Sequence, residues 1–163
     1  MPCLTKLPAS RFQSFLAFLF LASTTLACTP AAGASFAAVV THVVDGDKLV
    51  AVGDDHQTYL VRLAAVEAPS GRPYADRAAE ALRKLALDQR VSVIWHREDR
   101  AHNRVAMVFV GKRDVGLTQI RAGLARHDAG ADRDQLPRNR RAYARAESEA
   151  RRLRLGMWHT HAN

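Results

Sequence analysis

Between residues 36 and 66 the chain alternates β-prone runs with turn signals, which restricts this stretch to an antiparallel meander. Phe36 to Val44 is apolar and rich in β-branched side chains: Val39, Val40, Thr41, Val43 and Val44. Asp45-Gly46 reads as a hairpin turn, and Leu49 to Val52 as the returning strand. Gly53-Asp54-Asp55-His56 turns the chain again into a third strand, Thr58 to Val66.

The period then changes. Pro69 to Pro73 is a loop, and from Ala75 to Leu87 the apolar positions Ala78, Ala79, Leu82, Leu85 and Ala86 fall on one helical face. Arg90 to His96 alternates as a strand, and Arg104 to Val110 makes a fifth after a polar link. Gly111-Lys112 leads into a short helix, Val115 to Leu124. Ala129 to Arg138 reads as a long surface loop. A basic helix from Pro137 to Leu155 follows, with Tyr143, Ala146, Ala150 and Leu153 at helical spacing, and Trp158 packs back beyond it. Five strands with a helix between the third and fourth predict an α+β, mainly β domain: a five-stranded oligonucleotide/oligosaccharide-binding (OB) barrel with three helices.

The first residues are set apart from this domain. Lys6 and Arg11 form a thin basic region, Phe15 to Ala27 a short apolar one, and Ala32-Gly33-Ala34 has the small-x-small form of a cleavage site. Residues 1–34 are therefore expected to be a signal peptide and 35–163 the folded domain, exported to the periplasm or secreted. The apolar run is too short and too interrupted to predict a stable span in the mature form. Both cysteines, Cys3 and Cys28, precede the cut, so the domain carries no thiol and must be held by packing. A lipid-modified Cys28 is the alternative to cleavage after Ala34. The mature domain is expected to be a monomer.

With 24 Lys and Arg against 16 Asp and Glu, the chain carries a formal charge of +8. Such a surface favours polyanions, but charge alone does not choose among nucleic acid, anionic lipid and acidic glycans, and it also serves solubility.

The order of short motifs is more selective. Val43-Val44-Asp45-Gly46-Asp47 is followed by Val61-Arg62-Leu63 and Glu67-Ala68-Pro69. Then come Asp99-Arg100, Asp114-Val115, Arg121-Ala122-Gly123-Leu124-Ala125, and Gly156-Met157-Trp158. In this order, over nearly all of residues 35–163, the chain resembles the thermonuclease, or staphylococcal-nuclease-like, family. The resemblance implies the five-stranded barrel and Ca²⁺-dependent cleavage of DNA or RNA. Phosphodiester cleavage needs oxygen ligands for a hard cation, a base for water, cationic donors for the charge building on phosphorus, and a basic groove for the strand. By resemblance, Asp47 and Glu67 are the metal-binding carboxylates, the Ala68 carbonyl is a backbone ligand, and Asp45 supports Asp47 without touching the ion. Arg62 is the first phosphate-binding arginine. Taken singly, Asp45-Gly46 is only a turn signal, Glu67 a solvated loop charge, and Arg62 an outward strand residue or a partner for Glu67.

Two positions depart from the family pattern. Where its general-base glutamate follows the proline, this chain has Ser70. Where its second catalytic arginine closes the stretch after Asp99-Arg100, this chain has Asn103. Arg104 stands one step along, on the opposite side of a strand unless a bulge re-aims it. His102 is a candidate substitute base, with an ordinary pKa in the useful range. Tyr74 and Arg100 are candidate nucleic-acid contacts. Two functions follow: a Ca²⁺-dependent nuclease weakened by these replacements, or a non-catalytic domain that binds nucleic acid or another polyanion.

Overall fold

A computed structural model describes residues 34–159; the expected signal peptide, its cut and both cysteines lie outside them, apart from Ala34 itself. Strands β1 (Ser35–Val43), β2 (Lys48–Gly53) and β3 (Thr58–Leu63) form the antiparallel meander. β5 (Arg90–Glu98) pairs with β1 and with β6 (Arg104–Val110), and β6 returns to pair in parallel with β3. That last pairing, Val61 with Arg104 through Leu63 with Ala106, closes the five long strands into a mixed barrel. Between β3 and β5 lie the two-residue strand β4 (Val66–Glu67) and helix α1 (Tyr74–Ala86). A two-residue strand β7 (Arg113–Asp114) leads into α2 (Val115–Arg121), β8 (Arg126–His127) pairs with β4, and α3 (Pro137–Arg152) follows. Among the described residues, no helix is long and apolar enough to cross a membrane.

The barrel interior holds Ala38, Val40, Val43, Leu49, Ala51, Val61, Leu63, Val91, Val93, Ala106 and Val108, with Leu82 and Ala86 of α1, Val115 and Ile120 of α2, and Tyr143 of α3 packed into the same cluster. In β1 the buried side chains fall at 38 and 40 and then at 43, because a bulge between Val40 and His42 moves the inward face by one residue. A second bulge, between Trp95 and Arg97, lengthens β5 to Glu98.

The third strand is shorter than expected. It stops at Leu63; Ala65 takes a positive φ of 53°, and Val66-Glu67 leaves to pair with Arg126-His127. The segment expected as a surface loop is instead a cover. Residues Ala129–Asp134 form a 3-10 turn, and Asp134 and Gln135 are buried. Arg97 grips Asp134 through two hydrogen bonds of 2.8 Å, from Nε to Oδ1 and from Nη2 to Oδ2. Asn139 Nδ2 reaches Met107 Sδ at 3.1 Å. This cover gives β6 a second buried face, on which Val105 and Met107 cluster with Ala64. The last helix ends at Arg152, with Leu153 exposed rather than packed. Beyond it the chain is clasped to the end of α2. Met157 N–H donates to the Gly123 carbonyl at 2.9 Å, and Gly123 has a φ of +66° with no room for a side chain against Leu155 O. Trp158 packs back under the Arg151 guanidinium, 4.2 Å from its ring centre.

Candidate functional site

The Asp45-Gly46-Asp47 loop joins β1 to β2 and is pinned from below. The Gln119 side chain, 1% exposed, donates to Gly46 O at 3.1 Å and to Ala78 O at 2.8 Å, tying the loop to α1 and α2. Gly46 is needed less for the turn than for this approach: a Cβ there would lie 2.5 Å from Ala78 Cβ and 2.8 Å from Ala68 Cβ. Asp47 then takes the last place before β2, its carbonyl accepting from Leu63 N–H at 2.8 Å. Asp47 and β3 are thereby held in register.

Four side chains meet here. Asp47 is buried, and Arg62 Nε lies 3.7 Å from its Oδ2. Lys48 Nζ donates to Asp45 Oδ2 at 2.8 Å and stands 3.7 Å from Asp47 Oδ1. Asp45 Oδ1 accepts from the Asp47 N–H at 3.0 Å. Lys48 and Arg62 are direct cross-strand partners, so both project from the same face of the β2–β3 pair. Burial, with the hydrogen bond to Asp45 and its charge, pushes the Asp47 carboxyl up to about 7 against the pull of Lys48 and Arg62. Burial also opposes the charge on Asp45. There the hydrogen bonds from Asp47 and Lys48 prevail and hold the carboxyl below its ordinary value. The two acids thus divide into one that keeps its proton readily and one that stays ionised.

Glu67 has a partner of its own. It is half-exposed on β4 and bound to Arg126 of β8, its cross-strand partner, at 3.0 Å. With Ala68, Ser70 and Trp158 it lines a cleft of about 270 Å³. Arg62 lines a different and smaller cavity of about 40 Å³, with Arg97, Asp128 and Asp134. Glu67 finds its partner in Arg126 rather than in Arg62, and among the described residues it makes no three-acid metal-holding group with Asp45 and Asp47.

The 99–103 turn answers the question of the second arginine. Asp99 Oδ1 accepts from the N–H groups of Ala101 and Asn103 at 2.9 Å, and its Oδ2 accepts from Asn103 Nδ2 at 2.8 Å. Burial disfavours the Asp99 charge, but these bonds, together with the nearby Arg62, prevail and hold its pKa below the ordinary value. Arg62 therefore sits in the field of two acids, Asp47 and Asp99. Asn103 is buried, and its Oδ1 has no partner in the described structure. Arg104 pairs in register with Val61, not with Arg62, and so faces the other way. Its guanidinium is stacked between Tyr59 and Trp95, 4.6 and 4.3 Å from the ring centres. No bulge within β6 turns it back. His102 is exposed, with a φ of +60°, and lies 3.8 Å from Glu98. Arg100 is exposed on the same turn, Ser70 is exposed on the loop before α1, and Tyr74 opens that helix with Arg77 over its ring.

A family model described as Staphylococcal nuclease homologue matches residues 60–160, which is more than half of the chain. The chain belongs to this nuclease family. Among curated relatives, it is 37% identical over 118 residues to a probable endonuclease LCL3 of Colletotrichum graminicola, covering 66% of this chain and 43% of that protein. It is 36% identical over 121 residues to a probable endonuclease of Aspergillus flavus, covering 63% and 44%. It is 33% identical over 129 residues to one of Botryotinia fuckeliana, covering 69% and 48%. The chain thus spans less than half the length of these relatives.

The family implies a calcium ion, and the donor set can be tested against it. Ca²⁺ takes six to eight oxygens, several of them anionic. Here an ammonium group lies against both Asp45 and Asp47, and Glu67 is bound to Arg126. Among the described residues, no group of three His, Cys, Asp or Glu side chains is placed to hold a metal ion. The residues do not fit the ion in this arrangement. Sequence patterns alone do not single out Lys48, Gln119 or the Arg97–Asp134 pair. Of these only Lys48, directly beside two acids, carried a local signal.

Proposed function

We propose that this nuclease-family protein grips the phosphate backbone of single-stranded DNA or RNA at the Asp47–Arg62 site and that its phosphodiester hydrolysis is weak. One observation carries the reading. Arg62 is held on a partly open barrel face by the buried Asp47, while the positions that would supply a base and a second arginine are Ser70 and a buried Asn103.

Arg62 can bind a phosphate oxygen and offset the charge that builds there as water attacks phosphorus. No carboxylate stands at 70 to take the proton of that water, a loss of roughly 10²- to 10⁴-fold. A phosphate-clamping arginine is worth about 10³- to 10⁵-fold where a phosphoryl-transfer analogue exists; Arg104 does not take that place on the Arg62 face, and Arg97, which lines the cavity with Arg62, is bound to Asp134. The two losses do not simply multiply, because residues that act together are non-additive.

The test uses fluorescein-labelled single-stranded DNA and RNA, read by anisotropy for binding and by gel for cleavage. Binding is expected to weaken with salt and with Arg62→Ala, and fragments to accumulate slowly. Ser70 is exposed, so Ser70→Glu adds the missing base without disturbing the core; it is expected to raise the cleavage rate. Fast turnover by the unaltered protein would overturn the weak-hydrolysis reading. Absence of binding at low salt would overturn the nucleic-acid reading.

A further inference from the structure

The place a divalent cation would have to enter is already served by a cation of the protein's own. We infer that Lys48 and Arg62 form a metal-independent phosphate receptor in which the Lys48 ammonium stands where the family would use an ion. For its ligand the inference rests on the reading above; for its cation it does not.

The acids are already engaged. Asp45 spends one carboxylate oxygen on the Asp47 N–H and the other on Lys48 Nζ. Asp47, buried, faces Lys48 on one oxygen and Arg62 on the other, each at 3.7 Å. These 3.7 Å contacts are longer than hydrogen bonds, so neither cation is saturated by Asp47. The cations are the open part of the cluster: the Lys48 and Arg62 side chains are 33% and 38% exposed, against 8% for Asp47. Asp45 is open too, but both of its oxygens are engaged. An incoming anion meets an ammonium and a guanidinium on neighbouring strands, with the buried Asp47 facing both and Asp45 alongside holding Lys48 in place. A phosphate needs such a pair of donors: a point charge on one oxygen and a planar fork on the others. A divalent ion approaching the same acids must first displace the ammonium. Among the described residues it then meets no group of three acids placed to hold it, and Glu67 is paired with Arg126.

The test uses the full chain, Lys48→Met, and Lys112→Met as a surface control at an exposed turn. Two readouts are independent: cation uptake by terbium luminescence and calcium calorimetry, and anion binding by anisotropy of a labelled thymidine oligonucleotide, with inorganic phosphate as a second ligand. The unaltered protein is expected to bind the oligonucleotide equally well in chelator and in Ca²⁺, and to take up neither Ca²⁺ nor Tb³⁺ at this site. Lys48→Met should weaken oligonucleotide binding in chelator by about tenfold, the loss of one charged hydrogen-bonding contact. It should also lower the salt slope by roughly 0.7, and Lys112→Met should match the unaltered protein in affinity.

Stoichiometric cation uptake by the unaltered protein, lost with Asp47→Asn, would overturn the inference whatever happens to nucleic acid. So would an undiminished affinity in Lys48→Met. Binding of inorganic phosphate but not of the oligonucleotide, lost with Lys48→Met, would uphold the receptor and overturn the nucleic-acid reading instead.

Discussion

Asp47→Asn should make this protein more stable at neutral and alkaline pH, although it deletes a charge that faces two cations. The reason is the balance at Asp47. Burial and the neighbouring Asp45 outweigh Lys48 and Arg62, raising the carboxyl from 3.8 to about 7. A group whose pKa is higher in the folded state binds more protons there than in the unfolded chain. Its contribution is fully present below about pH 4 and is lost as pH rises through about 7. At 1.36 kcal/mol per pH unit, that displacement amounts to about 4 kcal/mol. Asp45, held below its ordinary value, works in the opposite direction and returns part of it. A net fall of about 2–4 kcal/mol between pH 4 and pH 8 is therefore expected for this pair. Asparagine keeps the shape and can donate to Asp45 without having to ionise. Urea unfolding at half-unit pH steps, in chelator, measures the effect. The unaltered protein should lose stability across that window, Asp47→Asn should be much flatter, and the two curves should converge near pH 4. If Asp47→Asn were the less stable protein at pH 8, attraction to Lys48 and Arg62 would outweigh burial, and the reasoning would be wrong.

Two further predictions concern the frame around the site. Arg97→Ala should cost about 2–4 kcal/mol by urea unfolding, because it strands the buried Asp134; the figure is at the lower side for a broken pair because Arg97 is partly open to water. It should also raise hydrogen exchange across residues 129–135. Tyr143→Phe removes the hydroxyl that donates to Asp114 at 2.8 Å and should cost about 1–3 kcal/mol, read as a lowered urea midpoint with an unchanged slope.

Much of the scaffold is legible in the order of residues. The meander of Phe36 to Leu63, the α1 face of Ala78, Ala79, Leu82 and Ala86, and the inward Tyr143, Ala146 and Ala150 of α3 follow from periods of two and 3.6. So does the prospect that Arg104 misses the Arg62 face, since neighbours in a strand point oppositely. The two bulges were not legible. Each breaks the alternation at a position where no glycine or proline marks it. Residues 129–135 read as solvated because they are polar, yet Arg97, far along the chain, makes it possible to bury Asp134.

The site divides along the same line. Its residue types, two acids flanking a glycine and an arginine in the third strand, stand in the sequence and place the chain among nucleases by their order. Their partners do not. Which acid Arg62 meets, whether Glu67 turns to a metal or to Arg126, and whether Lys48 lies over the carboxylates all depend on β2 pairing with β3 and β4 with β8. Local spacing sets which way a side chain points from its own strand. Only closure of the barrel sets what stands opposite it, and a charge takes its pKa, its partner and its use from that neighbour.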